Sequence, residues 1–127
     1  ALHLRVGKTT PITTRTCPAL EQATAATTGP EFLVSPGARD AWDEISAGAR
    51  LVRYGGDCYN YALLAAGFVD IVIEEGLKPY DIQALIPIVE QAGGIVTSWQ
   101  GGAAHEGGQI LACGDARLHE DIVSRLS

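Results

Sequence analysis

The sequence predicts an α/β fold, a sheet flanked by helices, and three observations carry that prediction. From Ser35 onward, short β-branched or apolar runs alternate with longer segments of helical spacing. Glycine, proline, serine or aspartate marks most of the changeovers. At 127 residues, 46% hydrophobic and 19% charged, the chain has the make-up of one globular unit with its own core.

Taken in order, residues 1–6 alternate apolar and polar side chains and read as a strand, and Gly7 to Pro11 reads as the turn that ends it. Residues 20–28, rich in Ala and Thr and closed by Gly29-Pro30, read as a strand with a helix as the alternative. Ser35-Pro36-Gly37 has the form of a helix entrance, a Ser cap followed by an early Pro. That helix runs to about Ala47, turns Trp42 and Ile45 inward and stops at Gly48. Residues 49–53 return as a short strand. Gly55-Gly56-Asp57 opens a second helix that reaches Ala66, with Gly67 as its stop. Residues 69–74 give the clearest strand, dominated by β-branched side chains. After a loop over residues 76–80, Asp81 is expected to cap a helix that Pro87 kinks and Gly93-Gly94 ends. Residues 95–99 and 109–113 are strands around a glycine-rich loop, and Asp115 caps a last helix ending at Leu126.

Charge and cysteine content narrow the function. Nine Lys+Arg against fifteen Asp+Glu give a formal net charge of −6, which repels phosphate backbones and excludes nucleic acid as an expected partner. A phosphorylated small molecule stays within reach if a divalent cation lies between it and the protein. No apolar run attains the ~18 residues of a membrane span, so no membrane partner is expected. Cys17, Cys58 and Cys113 are an odd, widely spaced set. They predict neither a disulfide framework nor a zinc site, and fit free thiols in a cytoplasmic protein. His3, His105 and His119 share no ligand spacing, and His119 is expected on the solvated surface. The chain holds no Met and begins at Ala1 on a strand-like stretch.

Two places could hold chemistry. At Tyr54-Gly55-Gly56-Asp57, the glycines let backbone approach a ligand, though the same residues suit a tight turn with Asp57 as its cap. At Lys78-Pro79-Tyr80-Asp81, a carboxylate stands at a helix mouth, where it can cap amides and still offer an oxygen to a hard cation. Glu74 and Glu75 end the strand before it and either lie in solvent or converge with Asp81 at the sheet edge. Arg53 can pair with such carboxylates or with phosphate.

The stretch from Lys78 through Asp81, an aliphatic helix, Glu90 and Gln91 to Ala92-Gly93-Gly94 resembles the second signature of the inositol monophosphatase-like family. Residues 53–74 are similar to that family's substrate loop, helix and strand in order and spacing, and the likeness runs from about Leu20 to the C-terminus. Arg53, the double glycine, Asp57, Asn60 and Tyr61 look most like the histidinol-phosphatase branch. The resemblance implies the C-terminal half of a layered αβαβα fold and metal-assisted hydrolysis of a small phosphate ester, with Mg²⁺ as the cation. It implies Asp81 as a metal ligand and Glu74 as a contact to the leaving group. Arg53, Tyr54, Gly55, Gly56 and Asp57 would then line the substrate pocket. Histidinol phosphate carries an ammonium and an imidazole, which Asp57 and Glu74 would suit as acceptors.

The family's first signature, Asp-Pro-x-Asp-Gly-Thr/Ser, which carries most of the metal ligands, does not occur in this chain. The expectation is therefore a C-terminal domain over residues 1–127, with residues 1–18 left from a preceding N-terminal metal-binding domain. Such a chain would hold no catalytic residue of its own, would be inactive alone and would dimerise with its like. An inositol-1-phosphate phosphatase, and a non-catalytic binding or subunit-contact module, are the alternatives.

Overall fold

The computed structural model describes residues 2–5 and 8–126, with side chains from residue 11 onward. The chain opens on a hairpin, β1 (Leu2–Arg5) antiparallel to β2 (Lys8–Pro11), in the register Leu2↔Pro11 to Arg5↔Lys8. The turn expected over residues 7–11 is thus a strand from Lys8 on, because β1 offers it a ladder of backbone partners. Val6 and Gly7 lie outside the described residues.

The strand expected over residues 20–28 divides into a 3₁₀ turn, Leu20–Gln22, and β3 (Thr24–Thr27). Next come α1 (Ala38–Gly48), β4 (Leu51–Tyr54), α2 (Tyr59–Ala65) and β5 (Ile71–Leu77). The expected helix at Asp81 is two pieces, α3 (Pro79–Ile82) and α4 (Leu85–Gln91). Pro87 sits in the first turn of α4, where its missing N–H leaves no bond unmade. Strands β6 (Ile95–Ser98) and β7 (Gly108–Cys113) precede α5 (Ala116–Leu126).

Strands β3 to β7 form a mixed sheet in the order β4-β3-β5-β7-β6. Strand β3 is parallel to both β4 and β5, whereas β7 is antiparallel to β5 and β6. Alternation along the strands feeds two cores. Ile71, Ile73 and Leu111 pack with Trp42 and Ile45 of α1 and Leu118 and Ile122 of α5. Val72, Ile110 and Ala112 pack with Tyr61 and Leu64 of α2, Ile82 of α3 and Val89 of α4. Each of the Val, Leu and Ile side chains contributes roughly 1.5–3 kcal/mol by burial. The result is a sheet between two helical layers, as the sequence predicts.

Tertiary contacts revise several local expectations. Ser35 does not cap α1. Gly37 holds that place with φ +80°, and the Ser35 hydroxyl bonds to Glu75 instead. Asp70, expected in the strand, turns its buried carboxylate to the Thr24 N–H at 2.8 Å and to the Arg15 guanidinium. His119 is half-buried, bonded through Nε2 to Thr97 Oγ1 at 2.8 Å, and burial lowers its pKa. Asp115 caps α5 as expected, accepting the Arg117 N–H at 2.9 Å.

Candidate active site

Because β3, β4 and β5 run parallel, their carboxyl ends meet on one edge of the sheet, where open α/β sheets bind ligands. Three segments leave that edge: Thr28 after β3, residues 55–58 after β4 and the end of β5. The Gly55 N–H donates to the Thr28 carbonyl at 2.8 Å and ties the first two together.

The loop after β4 holds three successive residues in the left-handed region, with φ +79° at Gly55, +97° at Gly56 and +42° at Asp57. Aspartate tolerates that region better than most side chains, at a cost of about 1–3 kcal/mol. A Cβ on Gly56 would lie 2.7 Å from Asn60 Oδ1, so only glycine fits there. Buried Asn60 clasps the loop from within α2: its Nδ2 donates to the Gly55 carbonyl at 2.9 Å, and its Oδ1 accepts from Arg53 Nε at 3.2 Å. Asp57 does not cap α2, whose N-cap is Cys58. The Asp57 carboxylate makes no hydrogen bond among the described residues.

In β5 a bulge separates the pairs Glu74↔Ile110 and Leu77↔Gly108. Glu74, on the α2 side, is 5% exposed and accepts the Thr28 hydroxyl at 2.8 Å. Burial raises its pKa and the Asp57 charge adds to that, while hydrogen bonds from Thr28 oppose it. Glu75 is spent on the chain instead: it accepts the Val34 and Ser35 N–H groups, the Ser35 hydroxyl and, at 3.0 Å, Gln109 Nε2.

Asp81 is the third residue of α3, not its cap. Its Oδ2 accepts the Lys78 N–H at 2.8 Å, in the manner of a capping box. The other oxygen, Oδ1, is uncommitted among the described residues.

Asp57, Glu74, Glu75 and Asp81 line one cleft of about 370 Å³, together with Thr28, Tyr61 and Leu85, so the two strand-end glutamates do converge with Asp81. No Lys, Arg or His lines it among the described residues. Arg53, Tyr54, Gly55 and Gly56 stand outside that lining. Arg53 supports Asn60, Tyr54 meets Trp42 edge-on with centroids 6.1 Å apart, and the glycines shape the turn that presents Asp57. Thr28 and Tyr61 enter the cleft without a site role read from the sequence. For Tyr61 a signal existed, since it follows Asp57 by four residues in a segment read as helix.

A carboxylate oxygen free of its own helix is a hard donor that suits Mg²⁺, so Asp81 fits as one ligand of such an ion. No group of three or more His, Cys, Asp or Glu residues able to hold a metal occurs among the described residues. What the cleft offers by itself is an acidic wall that complements a cationic group.

Comparison with known proteins accords with this geometry. The chain is 44% identical to the Bifunctional phosphatase IMPL2, chloroplastic, of Arabidopsis thaliana, over 91% of its own length and 36% of that protein. It is 30% identical to a Histidinol-phosphatase of Chlorobaculum parvum, over 82% of its length and 40% of the relative. A solved inositol monophosphatase from Zymomonas mobilis superposes with a TM-score of 0.85 at 45% identity, covering 91% of this chain and 46% of that one. The chain thus spans less than half the length of these relatives. With the model described as "Inositol monophosphatase family" matching residues 7–127, the chain belongs to the inositol monophosphatase family.

Proposed function

We propose that this chain is the C-terminal part of a metal-dependent phosphomonoesterase, and that the complete enzyme hydrolyses histidinol phosphate. The observation that carries the reading is the single cleft lined by Asp57, Glu74 and Asp81 with no basic side chain among the described residues. A cationic alcohol half, such as an amino alcohol bearing an imidazole, complements that wall. A neutral polyol could donate hydroxyls to these carboxylates but would leave their mutual repulsion uncompensated. Relatives named histidinol-phosphatase support the choice.

In this reading Asp57 and Glu74 receive the ammonium and the ring of the substrate. Glu74 is held by Thr28 so that its carboxyl faces the leaving group. Arg53, Tyr54, Gly55 and Gly56 form the substrate loop, acting by fixing where Asp57 stands. Asp81 would hold the metal by its uncommitted oxygen, while Oδ2 accepts the Lys78 N–H and keeps its helix in place. The cation, Mg²⁺, would supply an activated water and screen the phosphate charge. The remaining ligands would come from an N-terminal domain preceding residue 19, and the enzyme would be a cytoplasmic homodimer.

The test is phosphate release by the complete protein from histidinol phosphate and from inositol 1-phosphate, for wild type and Asp81→Asn. Asparagine can still accept the Lys78 N–H, so the fold is expected to persist while kcat at saturating Mg²⁺ falls by roughly a hundredfold or more. An unchanged kcat refutes the role of Asp81. Preference for inositol 1-phosphate, the reading favoured by the similarity to the solved Zymomonas enzyme, refutes the substrate.

A further inference from the structure

Tyr61 is a buried polar group that none of the proposed roles uses. Its ring packs among Leu64, Ile82 and Val89, and the residue is 1% exposed. Phenylalanine would fill that space equally well, so packing does not explain the hydroxyl. Its oxygen is buried and has no hydrogen-bond partner among the described residues. Such an arrangement is costly in a free protein unless something completes it. Tyr61 also lines the cleft, one helical turn beyond Asp57, beside Thr28, Glu74 and Asp81.

The state of the group is set by its neighbours. Burial, then the Glu74 carboxylate and then that of Asp81, push the phenol well above its ordinary pKa, so it keeps its proton and is able to donate. Glu74, the carboxylate that faces the leaving group in the proposed reading, lines the same cleft as Tyr61.

We propose that Tyr61 is a specificity-determining residue whose hydroxyl donates a hydrogen bond to an acceptor atom on the alcohol half of the bound phosphate ester. It supplies a neutral donor to a lining whose charged groups are all carboxylate acceptors. Asp57 and Glu74 accept from donors of the alcohol half, and Tyr61 selects a lone pair beside them, a ring nitrogen or a hydroxyl oxygen. The inference rests on the phosphomonoesterase reading of the cleft but not on which ester is the substrate.

Tyr61→Phe in the complete protein tests it, with kcat/KM measured on histidinol phosphate, inositol 1-phosphate and n-propyl phosphate. Beyond the ester oxygen that all three share, the alcohol half of the last has no acceptor. The expected result is a loss of roughly tenfold or more, through KM, on whichever of the first two the wild type prefers. On n-propyl phosphate no change is expected, and the unfolding temperature should hold or rise. Equal losses on all three esters, or no loss on any, overturn the proposal. So does a Tyr61→Phe chain that fails to fold, because a hydroxyl needed for folding has a partner within the fold. If the wild type prefers inositol 1-phosphate, the histidinol phosphate reading falls while the Tyr61 prediction is still decided by the same ratios. Wild type inactive on every ester overturns both.

Discussion

Glu74 shows how a single side chain trades stability for a site. Its carboxyl is buried against an acidic neighbour, and its folded pKa is raised above the unfolded value. The protonated form is therefore the one that the fold prefers. Stability from this group is present below about pH 4.5 and is lost as pH rises through the folded pKa. At neutral pH, Glu74 weakens the fold. Glu74→Gln keeps an acceptor for the Thr28 hydroxyl and removes the charge. It is expected to raise the unfolding temperature at pH 7 by a few degrees while lowering kcat/KM for a cationic substrate roughly tenfold. Thermal unfolding at pH 7 and at pH 4 checks the sign, because the gain should shrink at the lower pH. His119 runs the opposite way. Its folded pKa is depressed by burial, so its contribution is complete above about pH 6.5 and fades as pH falls through the folded value.

Among the elements, the Gly55–Asp57 turn and the bulge of β5 do most to build the cleft. Both depart from regular geometry, and both are braced from behind, the turn by Asn60 and the end of β5 by its bonds to Thr28 and to the Val34–Ser35 backbone. Gly56→Ala should cost more than the ~1 kcal/mol of an ordinary glycine replacement, because φ +97° and a contact at 2.7 Å both oppose a Cβ. Its effect on KM should exceed its effect on kcat, since Asp57 moves and Asp81 does not. At the start of α5, Asp115 accepts the Cys17 N–H at 2.9 Å and the Arg117 N–H at 2.9 Å, and pairs with the Arg117 guanidinium. Its pKa is lowered to about 2, first by the Arg117 hydrogen bonds. The stability it provides is present above pH 3.8 and lost as pH falls toward 2. Asp115→Asn should flatten the acid limb of unfolding over that window, as read by circular dichroism.

On the scale of the whole molecule, the surface is apolar in unusual places. Leu51 (53% exposed), Tyr54 (54%), Phe68 (68%), Val34 (79%) and Tyr80 (79%) stand in solvent, and every residue of the edge strand β4 is exposed. The chain also spans less than half of the relatives it matches. These facts belong together if further chain or a second copy covers the β4 edge. Expressed by itself, the chain should bind an apolar dye and release no phosphate. Coexpression with an N-terminal fragment carrying the family's first signature should quench the dye signal and bring activity. A chain that binds no dye and stays a monomer would count against a shared interface.

The sequence alone determined the α/β class, the inward Trp42 and Ile45 and the Asp115 cap, because these rest on local spacing and on residue types that short-range sterics and burial constrain, and the family was legible by resemblance of the stretch around Asp81. It also suggested that Glu74 and Glu75 could converge with Asp81, as they do in the cleft. Only the tertiary structure decided which oxygens are free to act. Ser35 abandons its cap for Glu75, Asp81 keeps one oxygen for Lys78, Arg53 is committed to Asn60, and the Tyr61 hydroxyl has no partner among the described residues. A side chain's hydrogen bonds depend on what distant strands bring within about 3 Å of it. Periodicity along the chain carries no information about that.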